Sequence, residues 1–356
     1  LRLGCNENTP AMTVQRNCAS GMQALDTAAL DIASGRADMV LAGGTEAMSH
    51  HPLMLSQAMV NWLAVWNGTT NLRERGQALA QFRVGYLKPV IGLLRGLTDP
   101  VVGLSMGQTA EKLARAFHIE RRQMDSYALK SHKRLQHAVE QVHLEEIVPL
   151  YDSEGRCYTD DNGLRPGSSM EKLSRLKPVF DRPYGAVTAG NSAQVTDGAA
   201  CLLLASGEAV EKHELPVLGR ILDSQWVGLD PSVMGLGPVY AMAPLLTRHG
   251  LGPREVDFWE INEAFAAQLL ACLEAWKDAD LTASQLGLET AFAEIPEHRL
   301  NVDGGAISIG HPVGASGARI VLHLLKTLRR ESAKTGIASL CIGGGKGGAM
   351  LLQTPG

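Results

Sequence analysis

Two segments near opposite ends of the chain resemble each other, and this repetition restricts the fold more than any other feature of the sequence. The first begins a helix at Ser20 and ends a strand at Gly43, and the second begins a helix at Ser316 and ends a strand at Gly343. The two spacings differ by only four residues. Apolar residues recur at helical spacing within each segment, and a short buried run follows. The sequence therefore predicts an α/β fold with two duplicated βαβ-type halves in stacked layers.

The stretch between the two halves has a different character. Residues 57–97 contain five basic residues and one acidic residue among large apolar and aromatic side chains. We expect this stretch to begin an inserted loop or lid domain. The expected division is an N-terminal half over residues 1–56, completed by 183–212, a lid over 57–182, and a C-terminal half over 213–356.

Composition excludes several classes of protein. The formal net charge is −4, and no cluster of basic residues is interleaved with aromatic ones, so nucleic acid is not an expected partner. The six cysteines are spread singly, which does not match a metal site or a disulfide scaffold. Reduced thiols indicate the cytoplasm, or an organelle matrix in a eukaryote. The chain starts without Met, so we expect it to begin within a longer protein.

Cys18 lies where an extended segment gives way to a helix. Its sulfur would then lie near free backbone N–H groups and the positive end of the helix dipole, which lower the pKa of a thiol. Cys18 is therefore a candidate nucleophile. A buried structural cysteine is the alternative, and it is the interpretation that we favour for Cys201 and Cys272, which lie on apolar segments.

Three further side chains lie at strand ends or in glycine turns. His311 is in the turn Gly-His-Pro. Cys341 ends a buried run just before three consecutive glycines, which begin at Gly343, and Asn262 follows the predicted strand 256–261. Taken singly, each has an ordinary interpretation: a structural histidine, a buried thiol or a helix N-cap. Taken together with Cys18, they are the set that acyl transfer through sulfur requires.

The segments that contain these residues resemble the four signature segments of the thiolase family, in the same order. They are QRNCASGMQA, INEAFAAQ, NVDGGAISIGHPVGASGAR and LCIGGGKGG, and the similarity extends through LKPVFDRPYGAVTAGNSAQVTDGAA and VGLDPSVMGLGP. The resemblance covers nearly the whole chain. It implies the thiolase fold, with stacked α-β-α-β-α layers, and an enzyme that makes or cleaves 3-ketoacyl-CoA.

The resemblance also implies roles for individual residues. Cys18 would carry the acyl group, His311 would activate it, Cys341 would move the α-proton of the substrate, and Asn262 would hold a water. Backbone N–H groups of Cys18 and Gly343 would form an oxyanion hole. Coenzyme A would be a substrate, with no permanently bound cofactor and no metal. The residues expected along the pantetheine and acyl slot are Met106, Phe180, Met234, Ala264 and Phe265, although core packing is an equal interpretation for the first three.

The partners and the alternatives complete these expectations. The insertion at residues 57–97 resembles that of thiolase subunits in trifunctional β-oxidation complexes. It would dock on an acidic membrane surface or a hydratase/dehydrogenase partner subunit, or form a solvated lid whose arginines meet CoA phosphates. The family implies a homodimer or tetramer. The alternatives are a ketoacyl synthase relative, which Cys341 disfavours, a papain-like protease, which the glycine turns disfavour, and a non-catalytic CoA- or lipid-binding protein.

Overall fold

The described part of the chain contains ten strands and thirteen α-helices. The computed structural model describes residues 4–286, 292 and 294–355. The strands are β1 (Met39–Ala47), β2 (Leu53–Met54), β3 (Val90–Ile91), β4 (Leu150–Tyr151), β5 (Cys157–Tyr158), β6 (Asp197–Ala205), β7 (Arg220–Gly228), β8 (Phe258–Ile261), β9 (Thr335–Ile342) and β10 (Lys346–Gln353). The helices are α1 (Ser20–Ala33), α2 (Gln57–Asn67), α3 (Leu72–Gln81), α4 (Gly92–Gly96), α5 (Met106–Ala116), α6 (Arg121–Glu140), α7 (Met170–Ser174), α8 (Gly207–His213), α9 (Gly237–His249), α10 (Ala266–Lys277), α11 (Ala279–Leu286), α12 (Ala306–Ile309) and α13 (Ser316–Arg330).

The sheet of the N-terminal half consists of β1 and β6. The two strands run antiparallel, and Leu41 lies opposite Leu203 in their register. Their side chains alternate between a face that packs against α1 and an outer face, as a strand requires. Leu41 and Leu203 lie on the outer face and are 57% and 55% exposed.

The sheet of the C-terminal half has four strands in the order β7-β10-β9-β8. Strand β10 runs antiparallel to β7 and β9, and β8 runs parallel to β9. Seven of the eight residues of β9 are buried. Their nearly continuous apolar run is typical of a strand covered on both faces, since α13 packs on one face of this sheet and α9 on the other.

Helices α1 and α13 lie side by side between the two sheets and approach each other through equivalent glycines. A Cβ on Gly21 would lie 2.8 Å from the Ala318 nitrogen, and one on Gly317 would lie 2.6 Å from the Met22 nitrogen. Both glycines therefore allow the backbones to come closer than any larger residue permits. The reciprocal contact agrees with the duplication that the sequence predicts.

The described residues form successive layers: the first sheet, α1 with α13, the second sheet, and α9 with α10. Both helices of the central layer begin where the sequence predicts, at Ser20 and Ser316. The extended segment predicted before Cys18 is not hydrogen-bonded into a sheet in the described part of the chain. Instead, Cys18 lies in a short 3-10 turn, Asn17–Ala19.

The insertion forms a small unit of its own. Strands β2 and β3 pair at its base, and helices α2 and α3 form a hairpin. Trp62 is at the centre of this unit, with ring centroids 5.5 Å from Trp66 and 4.9 Å from Phe82, and its indole N–H donates to the Ala78 carbonyl. Ala78 is the only residue of α2 and α3 that is buried. None of the described helices is long and apolar enough to cross a membrane.

Candidate active site

Cys18 is held at the start of α1 by a closed turn. The Ser20 hydroxyl accepts the Arg16 N–H at 2.9 Å and donates to the Asn17 carbonyl at 2.8 Å. The backbone N–H groups of Gly343 and of Cys18 itself lie close enough to the Cys18 sulfur to lower its pKa. The sequence therefore predicts correctly that backbone donors surround this thiol.

The expected direction of the pKa change is wrong. The loss of hydration around the sulfur raises the pKa of Cys18, and the lowering effect of the two backbone N–H groups is smaller. Glu46 also raises this pKa through its charge. Cys18 is consequently a thiol at neutral pH, so it requires a base before it can attack a carbonyl.

Cys341 lies near the end of β9, the strand that contacts the turn of Cys18. The side chain is buried, and its pKa is raised well above the usual range, first by burial and then by the charges that Cys18 and Cys272 would carry. Cys341 is thus also protonated at rest. A thiol with such a pKa is a weak acid, and its thiolate is a strong base, which suits proton transfer to and from carbon.

The other two cysteines on apolar segments differ from each other. Cys272 is buried, its thiol donates to the Gly235 carbonyl at 3.1 Å, and burial raises its pKa to about 12. The structural interpretation of Cys272 therefore fits. Cys201 is exposed, so the prediction that it is buried is wrong. It lies on the outer face of β6, opposite Gly43.

The glycine turn after β9 brings Gly343 next to Cys18. Gly344 and Gly345 have φ angles of 88° and 68°, which side chains rarely adopt. The Gly343 carbonyl accepts a hydrogen bond from the Asn17 side-chain amide at 2.8 Å. Gly343 is thus joined to the residue that directly precedes Cys18 in the other half.

The turn that contains His311 packs onto the end of β1. A Cβ on Gly44 would lie 1.9 Å from the Gly314 carbonyl oxygen, so only glycine allows this approach. Gly314 N–H donates to the Glu46 carboxylate at 3.1 Å, and His311 N–H donates to the Thr196 hydroxyl at 3.2 Å. These contacts fix the turn that contains His311 next to the end of β1 and to Thr196.

The His311 ring has a defined protonation state. Its Nδ1 lies 2.6 Å from the Ser316 hydroxyl, and that hydroxyl donates its own proton to the Pro312 carbonyl at 3.0 Å. Nδ1 must therefore be the donor, which leaves Nε2 as an acceptor. Burial lowers the pKa of His311 to about 4, with a smaller contribution from the charge of Arg319. The imidazole is neutral at physiological pH and can accept a proton at Nε2.

Asn262 directly follows β8 and faces His311. Its backbone N–H donates to the Ser339 carbonyl at 2.9 Å, which continues the pairing of β8 with β9. The side-chain Nδ2 lies 3.5 Å from His311 Nε2. Among the described residues, the buried Asn262 Oδ1 has no hydrogen-bond partner. The side chain of Asn262 therefore provides an unpaired buried oxygen next to the imidazole, and these are polar groups that can hold a water molecule.

A buried network connects the neighbourhood of Asn262 to α6. The neighbouring Glu263 accepts hydrogen bonds from Tyr127 and Ser131 of α6 at 2.7 Å each, and from the Asn301 side chain at 2.9 Å. Glu263 has no exposed surface, and these donors compensate for its burial. The turn at Asn262 and helix α6 are therefore held together by the residue that follows Asn262.

The residues predicted to line the substrate slot lie together beside Cys341. Met234, Ala264 and Cys341 form one buried apolar cluster, against which Met106 and Phe265 pack. The ring of Phe180 stands edge-on to Phe265 with centroids 5.8 Å apart. The structure thus brings all five predicted slot residues into one packed apolar cluster.

Four residues of the site were not predicted. Ser316 lies five positions after His311, and a hydroxyl at that spacing at a helix start is a usable sequence signal. Asn17, Glu46 and Thr196 contact Gly343, Gly314 and His311, which lie far away in sequence. For these three, the chain offers no local signal.

The fold and this constellation of residues define a thiolase. Residues 1–208 match the family profile described as Thiolase, N-terminal domain, and residues 215–354 match Thiolase, C-terminal domain. The chain therefore belongs to the thiolase family, which confirms the resemblance and the fold class predicted from the four motifs.

Individual relatives and solved structures agree. The chain is 36% identical over 354 residues to the mitochondrial trifunctional enzyme subunit beta of Mus musculus, covering 99% of this chain and 74% of that protein. It is 38% identical over 357 residues to the mitochondrial 3-ketoacyl-CoA thiolase of Rattus norvegicus, covering 99% and 81%. The crystal structure of human mitochondrial 3-ketoacyl-CoA thiolase in complex with CoA superimposes with a TM-score of 0.82 at 36% identity, covering 100% of this chain and 80% of that one.

Proposed function

We propose that the protein cleaves 3-ketoacyl-CoA with free CoA, or runs the reverse condensation, through a thioester on Cys18. The observation that carries this proposal is the contact between the turn that holds Cys18 and strand β9, which holds the second thiol, Cys341. One thiol forms the thioester and the other transfers the α-proton, so each half of the reaction has its own sulfur.

In the first step Cys18 attacks the C3 carbonyl of the substrate. His311 Nε2 accepts the thiol proton as the sulfur–carbon bond forms, because its Nδ1 proton is already donated to Ser316. The negative charge appears on the C3 oxygen, where the N–H groups of Cys18 and Gly343 stabilise it. Loss of one donor from such an oxyanion hole typically costs about 3 kcal/mol of transition-state stabilisation.

The second step breaks the bond between C2 and C3. The acyl group stays on Cys18, and the electron pair passes to the enolate of acetyl-CoA. The protonated His311 and a water on Asn262 are the donors for the enolate oxygen, and the Cys341 thiol gives its proton to C2. Acetyl-CoA leaves, and Cys341 remains as a thiolate.

In the third step free CoA takes the acyl group. The Cys341 thiolate removes the CoA thiol proton, and the CoA sulfur attacks the Cys18 thioester. Cys18 leaves as a thiolate and recovers its proton from His311, so that every residue returns to its starting state. The apolar surface of Met106, Phe180, Met234, Ala264 and Phe265 is suited to the pantetheine arm and the acyl chain.

Thiolysis of acetoacetyl-CoA with free CoA tests this proposal. The wild-type protein is expected to form two acetyl-CoA per substrate, and Cys18→Ala is expected to lower kcat by at least about a thousandfold. Cys201→Ala is the matched control, since it removes an exposed thiol on the outer face of β6. Turnover that survives in Cys18→Ala contradicts the mechanism.

The preferred acyl length is a separate question that the same assay answers. The insertion resembles that of β-oxidation complexes, and the C-terminal motifs resemble short-chain acetoacetyl thiolases. We propose a 3-ketoacyl-CoA substrate of fatty-acid β-oxidation. A kcat/KM that rises with acyl length supports this substrate class, and a steep preference for acetoacetyl-CoA rejects it.

The remaining expectations are proposals of the same kind. We propose that residues 57–182 act as the lid over the substrate, between an N-terminal half of 1–56 with 183–212 and a C-terminal half of 213–356. We also propose a homodimer or tetramer, which light scattering tests, and a location in the cytoplasm or an organelle matrix. The names of two relatives, which describe mitochondrial proteins, support the matrix.

We further propose that residues 57–97 dock on an anionic membrane surface. Exposed apolar side chains cover this unit, with exposed fractions of 86% at Leu72, 78% at Val84 and 61% at Leu79. They lie among five basic residues and one acidic residue. Apolar side chains with flanking positive charge are the combination that binds an anionic lipid interface.

Flotation with vesicles rich in phosphatidylserine tests this docking. The wild-type protein is expected to float with these vesicles and not with phosphatidylcholine vesicles. The double variant Leu72→Ser with Leu79→Ser is expected to stay in solution, while Leu30→Ser with Val101→Ser, which are also exposed, is the control. Failure of the wild-type protein to bind either vesicle rejects the membrane and leaves a hydratase/dehydrogenase subunit to be tested by co-purification.

A further inference from the structure

Asn17 joins the two halves of the protein at the oxyanion donor. Its side-chain Nδ2 donates to the Gly343 carbonyl at 2.8 Å, across 326 positions of sequence. The backbone N–H of the same glycine lies close enough to the sulfur of the next residue, Cys18, to lower the pKa of that thiol. Two consecutive residues of one half therefore contact both polar groups of a single residue in the other half.

The backbone at Asn17 is in the left-handed region, with a φ of 47°. Asparagine and glycine tolerate this region better than most residues. The Asn17 carbonyl accepts the Ser20 hydroxyl at 2.8 Å, so the main chain is anchored independently of the amide. The Asn17 side-chain oxygen has only a long contact, 3.4 Å from the exposed Gln15 side chain. The donor end of the amide is therefore the end with a structural consequence.

Gly343 needs such a restraint because the turn that it begins consists of glycines. Gly344 and Gly345 both have positive φ angles, and a run of glycines restricts its own backbone less than any other sequence does. An oxyanion donor is effective only when it is already directed at the charge before the charge develops. Fixing the Gly343 carbonyl limits rotation of this residue and hence the direction of its N–H.

We propose that Asn17 is a positioning residue that holds the Gly343 N–H towards Cys18. The proposal rests on the proposed thioester at Cys18. It assigns Asn17 to acyl transfer on that sulfur, and not to formation of the acetyl-CoA enolate, which belongs to Cys341, His311 and Asn262.

The variants are chosen to keep the backbone and remove the donor. Asn17→Gly retains the left-handed conformation without the amide, and Asn17→Asp retains the shape without the N–H donor. Both are expected to lower kcat for acetoacetyl-CoA thiolysis about tenfold or more, since a displaced oxyanion donor loses much of its effect. KM for CoA is expected to change by less than about threefold, because the interactions that bind CoA equally in the ground state and the transition state are unchanged. Gln15→Ala, which removes the neighbouring amide, is expected to retain the wild-type kcat.

Two readouts separate positioning from a general loss of structure. Exchange of the α-protons of acetyl-CoA with deuterated water is expected to persist in Asn17→Gly, because enolate formation does not use Gly343. The pH dependence of Cys18 alkylation by iodoacetamide is expected to move to higher pH in this variant, because the Gly343 N–H lowers the pKa of that thiol.

The outcomes that overturn the proposal are specific. A wild-type kcat in Asn17→Gly, or an equal loss of thiolysis and proton exchange at an unchanged melting temperature, contradicts it. If the wild-type protein itself lacks thiolysis, the proposed function fails. The alkylation profile, which needs no turnover, then still decides whether Asn17 directs the Gly343 N–H, and an unshifted profile overturns that claim.

Discussion

The Ser316 hydroxyl determines which nitrogen of His311 carries the proton. It donates to the Pro312 carbonyl at 3.0 Å and can therefore only accept at its 2.6 Å contact with Nδ1. Nε2 is left free towards Asn262, and burial lowers the pKa of the ring to about 4. A neutral ring with a fixed tautomer is ready to accept the Cys18 proton.

Ser316→Ala is expected to reduce the fraction of His311 with a free Nε2. Without the Ser316 hydroxyl as an acceptor for Nδ1–H, the imidazole can also adopt the tautomer with its proton on Nε2. The value of kcat for thiolysis is therefore expected to fall about tenfold to a hundredfold, within the usual contribution of a general base. KM is expected to change little. Steady-state kinetics with acetoacetyl-CoA measures both parameters.

The control for Ser316→Ala is Thr282→Val in α11. Thr282 also donates its hydroxyl to a carbonyl four residues earlier, Asp278, at 2.8 Å, and its side chain is buried. Its loss is expected to leave kcat unchanged. Equal effects of the two substitutions contradict a role of Ser316 in the tautomer.

Gly21→Ala is expected to destabilise the central layer. The added Cβ would lie 2.8 Å from the Ala318 nitrogen and 3.1 Å from the Gly314 carbonyl oxygen, so α1 and α13 must move apart. Overpacking of this kind lowers the free energy of unfolding by about 1–3 kcal/mol. Urea denaturation at a constant m-value measures the change.

The matched control is Gly76→Ala in α3. Apart from its chain neighbours and its own helix, no heavy atom of the described residues lies within 4 Å of a Cβ at this position. Alanine is the better helix former by about 1 kcal/mol, so this variant is expected to be neutral or more stable. A Gly21→Ala protein as stable as the wild type contradicts the close packing of the two helices.

The buried histidines predict the pH dependence of stability. The pKa of His311 falls from 6.5 to about 4 on folding, so below pH 6.5 the unfolded chain binds a proton that the folded protein does not. The free energy of unfolding is therefore expected to fall as the pH is lowered from 6.5 towards 4. Between pH 7 and pH 5 this contribution is about 2 kcal/mol, and it is expected to be missing in His311→Gln.

His323→Gln is the comparison, because the sign is opposite. Contacts with Asp303 and Glu146 raise the pKa of His323 to about 10 against the effect of its burial. The protonated His323 side chain stabilises the folded protein fully below pH 6.5, and this stabilisation is lost as the pH rises towards 10. Urea denaturation of both variants across pH 5 to 9 checks the two signs, and a His311→Gln protein that follows the wild-type curve contradicts the neutral imidazole.

The sequence predicts the central layer well because its information is local. Helical spacing after Ser20 and Ser316 determines α1 and α13, and Gly343 directly follows the end of β9 as predicted. The predicted strand end at Gly43 is wrong, because β1 continues through both glycines to Ala47, paired with β6. The four predicted catalytic positions are similarly local, since each lies within a distinctive motif. The structure accordingly brings Cys18 near Cys341, and Asn262 near His311.

The properties that the sequence could not predict depend on residues that are distant in sequence and close in the folded structure. The helix start at Cys18 suggests a lowered pKa, but burial has the larger effect and raises it. The apolar sequence around Cys201 suggests burial, but the outer face of β6 is exposed. The contact of Asn17 with Gly343 joins residues 326 positions apart, and no local pattern predicts such a pair.

The most direct test of the account is the location of the acyl group during turnover. The protein is incubated with acetyl-CoA, quenched with acid and digested. Peptide mass spectrometry is then expected to find one added acetyl group on the peptide that contains Cys18. His311→Ala is expected to slow the appearance of this adduct, and Cys18→Ala is expected to abolish it. An acetyl group that appears first on Cys341, or that persists in the Cys18→Ala protein, contradicts the assignment of Cys18 as the acyl carrier.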